Sequence, residues 1–289
     1  MDIVDTQVHA NVLGAETAVA IMDAIGIRAV LIDEYLSMAE GFRPLPSYRM
    51  PNGVSRPIGP HAEAAALRYP DRFAFLMRVD HLDPGLEGWV ETLKASPSFR
   101  ALRTLVFSEA EIAAFSDGGF DRMFAIASAN GLPMFVTCPK QFDHLAAYAR
   151  RFPEVQFIID HCGAPFDAPA GQASIDDAIR MAEYSNVAMK WAHAPTFLSV
   201  EDYPFRDLEP KLAHVLDAFG RERVMWASDY TITRRRQSWA EALFYLRDSA
   251  ALSDDDKAWI LGRTARTLLN WPVPSRPAAR EPMHPSSKE

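Results

Sequence analysis

The sequence is poor in several features that would define other classes of protein. It contains only two cysteines, Cys138 and Cys162, among 289 residues. This excludes a disulfide framework and predicts two buried free thiols in a reducing compartment. No uninterrupted apolar run approaches the roughly 18 residues that a membrane span needs, and no basic segment precedes an apolar one at the N-terminus. We therefore expect a cytoplasmic protein without a membrane segment.

Basic residues are also scarce relative to acidic ones. The chain carries 30 Lys and Arg against 38 Asp and Glu, a formal net charge of -8. Nucleic-acid-binding proteins present a basic face, so this balance argues against a nucleic-acid partner. It remains compatible with a local cationic pocket for a small anionic substrate. No Gly-rich fingerprint follows an early strand, which disfavours a doubly wound dinucleotide-binding fold.

The sequence does contain eight short apolar runs separated by segments with helical spacing. The runs are Asp2–His9, Arg28–Tyr35, Phe73–Asp80, Ala101–Phe107, Pro133–Cys138, Gln156–Cys162, Val187–His193 and Val224–Asp229. Runs of this kind are typical of parallel strands that are buried on both faces. Eight strand–helix units in a chain of this length predict a single-domain α/β fold, a closed (β/α)8 TIM barrel over residues 1–271.

Two stretches interrupt this pattern. Residues 36–61 form a long loop rich in Pro, Gly and Arg after the second strand, and we expect it to be a lid or wall over a site at the strand ends. The tail of residues 272–289 lacks apolar periodicity and is expected to be disordered. Between the barrel strands and this tail, residues 254–271 are expected to form a final helix that packs outside the barrel.

Polar side chains concentrate at the strand ends, which form the active face of such a barrel. They are Gln7 and His9 on strand one, Arg103 on strand four, Asp160 and His161 on strand six, Lys190 on strand seven, and Ser228 and Asp229 on strand eight. Helix capping explains single Asp or Ser residues, but it does not explain two His and one Asp that converge on one mouth. Such a trio suits Zn²⁺ or Mn²⁺, or general-base hydrolysis of an ester or lactone.

The motifs "DTQVHAN", "FIIDHCGAP", "VAMKWAH", "MWASDY" and "ILGRTARTLLNW" extend over nearly the whole chain. With them the sequence resembles the amidohydrolase superfamily, in the branch called amidohydrolase family 2. This branch includes lactonases of pyrone dicarboxylates and of sugars, and also metal-dependent decarboxylases of aromatic-acid catabolism. The resemblance implies a TIM barrel and a hydrolase that opens a carboxylate-bearing lactone or related ester.

The resemblance also implies roles for particular residues. The eighth-strand Asp of the family, its general base, matches Asp229, and the sixth-strand His matches His161. The first strand of the family normally ends in His-x-His, which supplies two metal ligands, but here Gln7 replaces the first His and only His9 remains. The basic residues on strands four and seven are similar to Arg103 and Lys190.

From this pattern we expect Asp229 to activate water while His9 and His161 polarise the carbonyl group. We expect the substrate to contact five further residues, namely Gln7, Arg103, Lys190, Tyr230 and Arg234. Two alternatives for the cofactor stay open. Either no metal is bound, or one divalent ion is held by His9, His161 and Asp229, with Gln7 as a weak ligand through its amide oxygen.

Two alternatives to lactone hydrolysis also stay open. One is metal-dependent non-oxidative decarboxylation of an aromatic or unsaturated acid, and the other is a non-catalytic binding protein built on the same barrel. Barrels of this kind often pair, so a homodimer is a further expectation.

Overall fold

A computed structural model of the chain describes residues 1–9, 13–33, 47–57, 61–165 and 175–274. The predicted loop of residues 36–61 falls partly outside these ranges, and the predicted tail falls outside them after residue 274. Within the described ranges, no helix combines the length and apolar character that crossing a membrane requires.

Eight parallel strands form one sheet, and their order across the sheet is the same as their order along the chain. They are Val4–Val8 (β1), Ala29–Asp33 (β2), Phe73–Arg78 (β5), Phe99–Leu105 (β6), Met134–Thr137 (β7), Phe157–Ile159 (β8), Val187–Trp191 (β9) and Val224–Trp226 (β10). Each predicted strand coincides with one of these, because every apolar run is buried on both faces of the sheet. Contacts between the first and last strands bring the sheet round on itself: Thr6 Oγ1 donates to the carbonyl oxygen of Trp226 at 2.7 Å. The predicted (β/α)8 TIM barrel is confirmed.

Helices alternate with the strands and surround them. They are Ala15–Ile25 (α1), His61–Arg68 (α2), Leu86–Lys94 (α3), Glu109–Ser116 (α4), Asp121–Ala129 (α5), Phe142–Arg151 (α6), Asp176–Ile179 (α7), Ala194–Phe197 (α8), Glu209–Phe219 (α9), Tyr230–Thr233 (α10), Trp239–Arg247 (α11), Asp254–Ala258 (α12) and Thr264–Leu268 (α13). Short 3₁₀ turns occupy His161–Gly163, Arg180–Glu183, Arg206–Leu208 and Arg221–Arg223. A π turn, Trp259–Arg263, joins α12 to α13.

The barrel interior is filled by one face of the strands. Its buried cluster consists of Val4, Ala29, Leu31, Ala74, Leu76, Ala101, Phe135, Ile158, Ala188 and Met225, together with Ala265, Leu269 and Trp271 from the C-terminal segment. That segment is helical as predicted, but its side chains join the interior cluster rather than only the outer ring of helices. Gly262 permits this approach, since a Cβ atom there would lie 1.9 Å from the carbonyl oxygen of Asp2.

A hairpin of two short antiparallel strands, Ser47–Arg49 (β3) and Ser55–Pro57 (β4), lies inside the long loop. Its turn is fastened to the loop after β5, where Asn52 Nδ2 donates to the carbonyl oxygen of Leu82 at 3.1 Å. Arg56 also forms a bidentate ion pair with Asp83, with distances of 2.5 and 2.7 Å. The hairpin is therefore held near the carboxyl end of β5.

Candidate active site

The period-2 alternation of the strands carries the polar residues of the site into the barrel. Five interior core residues are each followed, two positions later, by a polar side chain on the same face. Asp33, Arg103, Thr137, Asp160 and Lys190 follow Leu31, Ala101, Phe135, Ile158 and Ala188 in this way. The carboxyl ends of the parallel strands thus form a buried polar layer above an apolar one.

Arg103 lies at the centre of this layer. Its Nε donates to Asp160 Oδ2 at 2.7 Å, and its Nη1 donates to Asp33. Its Nη2 lies 3.3 Å from Thr137 Oγ1 and 3.0 Å from His161 Nε2. Both sides of the guanidinium group are therefore occupied by protein groups, and the two carboxylates raise the pKa of Arg103 despite the opposing effect of burial.

Lys190 completes the layer from β9. The side chain is fully buried, and its Nζ lies 2.5 Å from Asp160 Oδ1 and also donates to Gln7 Oε1. Burial lowers the pKa of Lys190. Burial alone would raise the pKa of Asp160, but Arg103 and Lys190 hold it far below its usual value. Because both cations already face carboxylates, they act first as structural counter-charges.

Gln7 has one defined amide orientation in this setting. An ammonium group can only donate, so Lys190 fixes the amide oxygen toward itself. The amide nitrogen then points the other way and donates to Asp229 Oδ2 at 3.0 Å and to Asp33 Oδ2 at 3.4 Å. The amide oxygen that the sequence suggested as a weak metal ligand is thus engaged by Lys190.

Asp229 receives contacts from three sides. Besides Gln7, His193 Nε2 lies 2.6 Å from Oδ2 and His9 Nε2 lies 3.2 Å from Oδ1. Burial alone would raise the pKa of Asp229, but His193 and His9 hold it well below its usual value. Among the described residues, none donates a well-aligned hydrogen bond to Oδ1. The site therefore contains an ionised carboxylate with one oxygen anchored and the other available.

The pKa values of His9 and His161 are shifted in opposite directions. Burial lowers the pKa of His9, but the carboxylates of Asp229 and Asp33 outweigh this effect, so the pKa lies above its usual value. Burial, together with the neighbouring His193 and Lys190, lowers the pKa of His161 well below its usual value. His161 is therefore a neutral imidazole at neutral pH, which is the form that accepts a hydrogen bond or binds a metal.

Three of these residues share an unusual backbone conformation. His161, His193 and Asp229 have φ values of 52°, 58° and 43°, in the left-handed region that residues other than glycine seldom adopt. Each one lies just after a strand, where the chain turns sharply. Such conformations cost of the order of 1–3 kcal/mol and concentrate at functional sites. The ligand atoms of these three side chains lie within 4.8 Å of one another.

The turn at Asp229 is supported from below by Asp5. This fully buried carboxylate accepts hydrogen bonds from the backbone nitrogen of Ser228 at 2.9 Å, from Ser228 Oγ at 2.5 Å and from Trp239 Nε1 at 2.7 Å. Burial raises the pKa of Asp5 to about 6, although these hydrogen bonds oppose the shift. Asp5 therefore positions the base through the neighbouring Ser228.

A cavity of about 550 Å³ opens above this arrangement. Its polar lining is Gln7, His9, Arg103, Thr137, His161, His193, Thr196, Asp229 and Thr233, its apolar lining is Leu105, Phe107, Phe197 and Ile232, and two arginines, Arg235 and Arg236, complete it. This volume suits a small molecule.

The structure brings together five of the residues named from the sequence at the cavity floor, namely Gln7, His9, Arg103, His161 and Asp229. Lys190 lies beneath the floor and reaches the site only through Gln7 and Asp160. Tyr230 stacks on Trp239, with ring centroids 5.4 Å apart, and does not line the cavity.

The structure also corrects the expectation for Arg234 and adds residues to the site. Arg234 does not line the cavity, whereas the next residue, Arg235, does. Asp33 and His193 were not named as site residues from the sequence. Asp33 follows an apolar stretch and His193 ends an apolar run, and a polar residue at such a position is the sequence signal by which both can be found.

His161, His193 and Asp229 are suited to hold one divalent cation. Their ligand atoms all lie within 4.8 Å of one another, and the set combines a neutral imidazole with an ionised carboxylate. Three protein ligands with an open fourth position are typical of catalytic zinc. This cluster shares two residues with the set expected from the sequence and contains His193 in place of His9.

The sequence is similar to those of known proteins. The chain matches a family model described as amidohydrolase over residues 5–271. It is 28% identical over 150 residues to an L-fucono-1,5-lactonase of Burkholderia ambifaria, a match that covers 50% of this chain. The match spans about half the length of that relative.

Solved structures are similar in fold. An amidohydrolase from Burkholderia multivorans with bound zinc has a TM-score of 0.71 at 20% identity and covers 94% of this chain and 100% of its own. A probable 2-pyrone-4,6-dicarboxylic acid hydrolase from Acinetobacter baumannii has a TM-score of 0.69 at 12% identity, with the same coverage. At these identities the likeness concerns the barrel alone, whereas the family model extends over nearly all of the sequence. The chain therefore belongs to the amidohydrolase family of enzymes.

Proposed function

We propose that this protein hydrolyses a lactone or related ester of a small anionic molecule, with Asp229 as the general base. The observation that carries this proposal is the Asp229 carboxylate, whose Oδ2 accepts from Gln7 at 3.0 Å while Oδ1 accepts no well-aligned hydrogen bond from a described residue. The low pKa keeps this group ionised at neutral pH. It can therefore accept a proton from a water molecule at the cavity floor.

The reaction balances with these groups alone. Asp229 takes a proton from water as the water oxygen bonds to the carbonyl carbon, and the carbonyl electron pair moves onto its oxygen. A donor on His9 stabilises this oxyanion. The ring C–O bond then breaks, and the proton passes from Asp229 to the leaving ring oxygen. The product is the corresponding hydroxy acid.

His161 and His193 extend this proposal to a metal. His193 lies 2.6 Å from Asp229, and His161 is neutral. A divalent cation such as Zn²⁺ or Mn²⁺, held by these three residues, would supply Lewis-acid polarisation of the carbonyl group. The residues of the chain would still hold the substrate, orient the water and carry the proton.

The test is hydrolysis of a panel of pyrone, aryl and sugar lactones by the purified protein, followed with a pH indicator. An Asp229→Asn variant should lose at least about 100-fold in kcat, in the range that general-base catalysis contributes. Asp255→Asn is the matched control, because Asp255 pairs with Arg221 and Arg263 away from the cavity. Full activity of Asp229→Asn would contradict the assignment of the base.

Decarboxylation is the second candidate, and the cluster of His161, His193 and Asp229 is the observation that favours it. Family 2 decarboxylases hold a metal against the carboxylate of an aromatic acid. The two reactions are distinguished by their products, because a decarboxylase releases CO₂ from an aromatic acid and a lactonase releases a hydroxy acid from a lactone. Release of CO₂ without opening of any lactone would favour this second candidate.

A further inference from the structure

Four apolar side chains line the cavity, namely Leu105, Phe107, Phe197 and Ile232. Phe197 stacks on His193 with ring centroids 5.0 Å apart and planes 20° apart. The hydroxyl groups of a sugar lactone would lose their hydrogen bonds to water against these apolar side chains and gain none from them in return. A flat or branched hydrocarbon group would instead be stabilised there by burial.

Three consecutive arginines near the cavity rim differ in what they already contact. All three are exposed, and Arg234 does not line the cavity. Arg236 lines it, but its guanidinium group donates to Asp202 Oδ1 at 3.0 Å and to the carbonyl oxygen of Glu201 at 2.7 Å. Arg235 also lines the cavity, and no residue in the described ranges forms a hydrogen bond or an ion pair with it.

The cations deeper in the site are already neutralised. Arg103 lies between Asp33 and Asp160, and Lys190 pairs with Asp160 at 2.5 Å. An anionic substrate group that displaced either carboxylate would leave a buried charge without a partner, which is costly. Arg235 at the rim offers an anion a guanidinium group without such a cost.

On the basis of the lactone hydrolysis proposed above, we infer the class of the substrate. It is a lactone that carries one anionic group and an apolar aryl or alkyl substituent, and Arg235 determines specificity by binding the anion. The lactone carbonyl lies at the floor beside Asp229, the apolar substituent contacts Phe197 and its neighbours, and the anionic group faces the rim.

The test compares Arg235→Gln with Arg234→Gln on 5-oxo-2-phenyltetrahydrofuran-3-carboxylate and on its methyl ester. Arg235→Gln should raise KM for the carboxylate at least tenfold and leave kcat within twofold, since tenfold corresponds to about 1.4 kcal/mol and a charge-assisted hydrogen bond contributes about 1.5–3 kcal/mol. The same substitution should leave KM and kcat for the methyl ester unchanged. Arg234→Gln should change neither substrate. The wild-type protein should have a kcat/KM for galactono-1,4-lactone at least tenfold lower than for the phenyl-substituted lactone carboxylate.

A binding measurement separates this inference from the proposed reaction. Calorimetric titration uses 2-phenylcyclopentane-1-carboxylate, which has the apolar group and the anion but no ester. Arg235→Gln should weaken its binding at least tenfold, and Arg234→Gln should not. If the wild-type protein opens no lactone, the proposed reaction fails, whereas equal binding by both variants, or a preference for the sugar lactone, would overturn the assignment of Arg235 and its substrate class.

Discussion

The amide nitrogen of Gln7 donates a hydrogen bond to Asp229 Oδ2 at 3.0 Å, across the seam where the first and last barrel strands meet. The amide oxygen of the same side chain accepts from Lys190. Gln7 therefore joins the buried cation to the proposed base and holds one oxygen of that base. A carboxylate anchored in this way keeps its orientation as its protonation changes, which is the preorganisation that catalysis requires.

Replacing Gln7 with Glu should move the acid limb of the pH–rate profile to higher pH. The new carboxylate would lie beside Asp229 and Asp33, and like charges raise the pKa of a neighbouring carboxyl group. Asp229 would then become ionised only at higher pH. The measurement is kcat/KM against pH, with Gln7→Met as the uncharged comparison, which should lower activity with a smaller shift. An unchanged profile in Gln7→Glu would contradict this account of Gln7.

Replacing Lys190 with Met should lower the free energy of unfolding by about 3–5 kcal/mol, because it leaves a buried carboxylate without one of its partners. Asp160, 2.5 Å from Lys190 Nζ, is the group that loses its counter-charge. Urea denaturation monitored by tryptophan fluorescence measures the change. Lys94→Met is the control, since Lys94 is exposed and its Nζ donates to the neutral side chain of Asn130 at 3.0 Å. A loss below about 1 kcal/mol would mean that the buried pair contributes little to stability.

The buried carboxyl group of Asp5 should make stability depend on pH. Its pKa is raised from 3.8 to about 6, so the folded chain holds more protons than the unfolded chain between these values. The contribution of Asp5 to the free energy of unfolding therefore falls as the pH rises from about 4 to about 6. The fall is of the order of 3 kcal/mol, because one pKa unit corresponds to about 1.36 kcal/mol.

Denaturant unfolding of the wild type and of Asp5→Asn over this pH interval measures that contribution as a difference. The difference should vary with pH, whereas Asp23→Asn, at the exposed end of α1, should run parallel to the wild type. Parallel curves for the wild type and Asp5→Asn would show that Asp5 does not titrate in this interval.

The cluster of His161, His193 and Asp229 should bind one equivalent of Zn²⁺. His193→Ala removes one ligand and should weaken binding at least about tenfold, a change typical of altered metal sites. Metal analysis and calorimetric titration of the metal-free protein measure this directly. His214→Ala, on the exposed face of α9, should bind as the wild type does. Equal affinity in His193→Ala would place the metal elsewhere or exclude it.

Much of the fold was predictable because strands that are buried on both faces appear in the sequence as short apolar runs. Apolar runs such as Phe73–Arg78 and Val187–Trp191 are buried on both faces, and their spacing along the chain indicates the strand–helix rhythm of a barrel. The hairpin of β3 and β4 was not predicted, because three-residue strands within a polar loop carry no periodic signal. The segment after α12 was predicted to be helical, but its contact with the barrel interior depends on residues from many strands.

The residues of the candidate site were predictable where a polar residue stands at the end of an apolar run. Gln7, His9, His161 and Asp229 stand out as polar residues beside apolar runs. The partners of Arg103 and Lys190 were not predictable, because each pairs with a residue between 30 and 70 positions away. The choice of Arg235 over Arg234 as a cavity residue also depends on where the loop after β10 lies.

The sequence alone therefore determined the barrel and the identity of the groups that gather at its mouth, since both leave a local pattern: short apolar runs between helical segments, and polar residues at the ends of those runs. Only the tertiary structure decided which charge faces which. Closing the sheet brings the ends of β1 and β10 together and sets Gln7 against Asp229 across 222 positions of sequence. In that buried layer, the protonation states and the hydrogen bonds of the ionisable groups depend on residues that are distant in the chain.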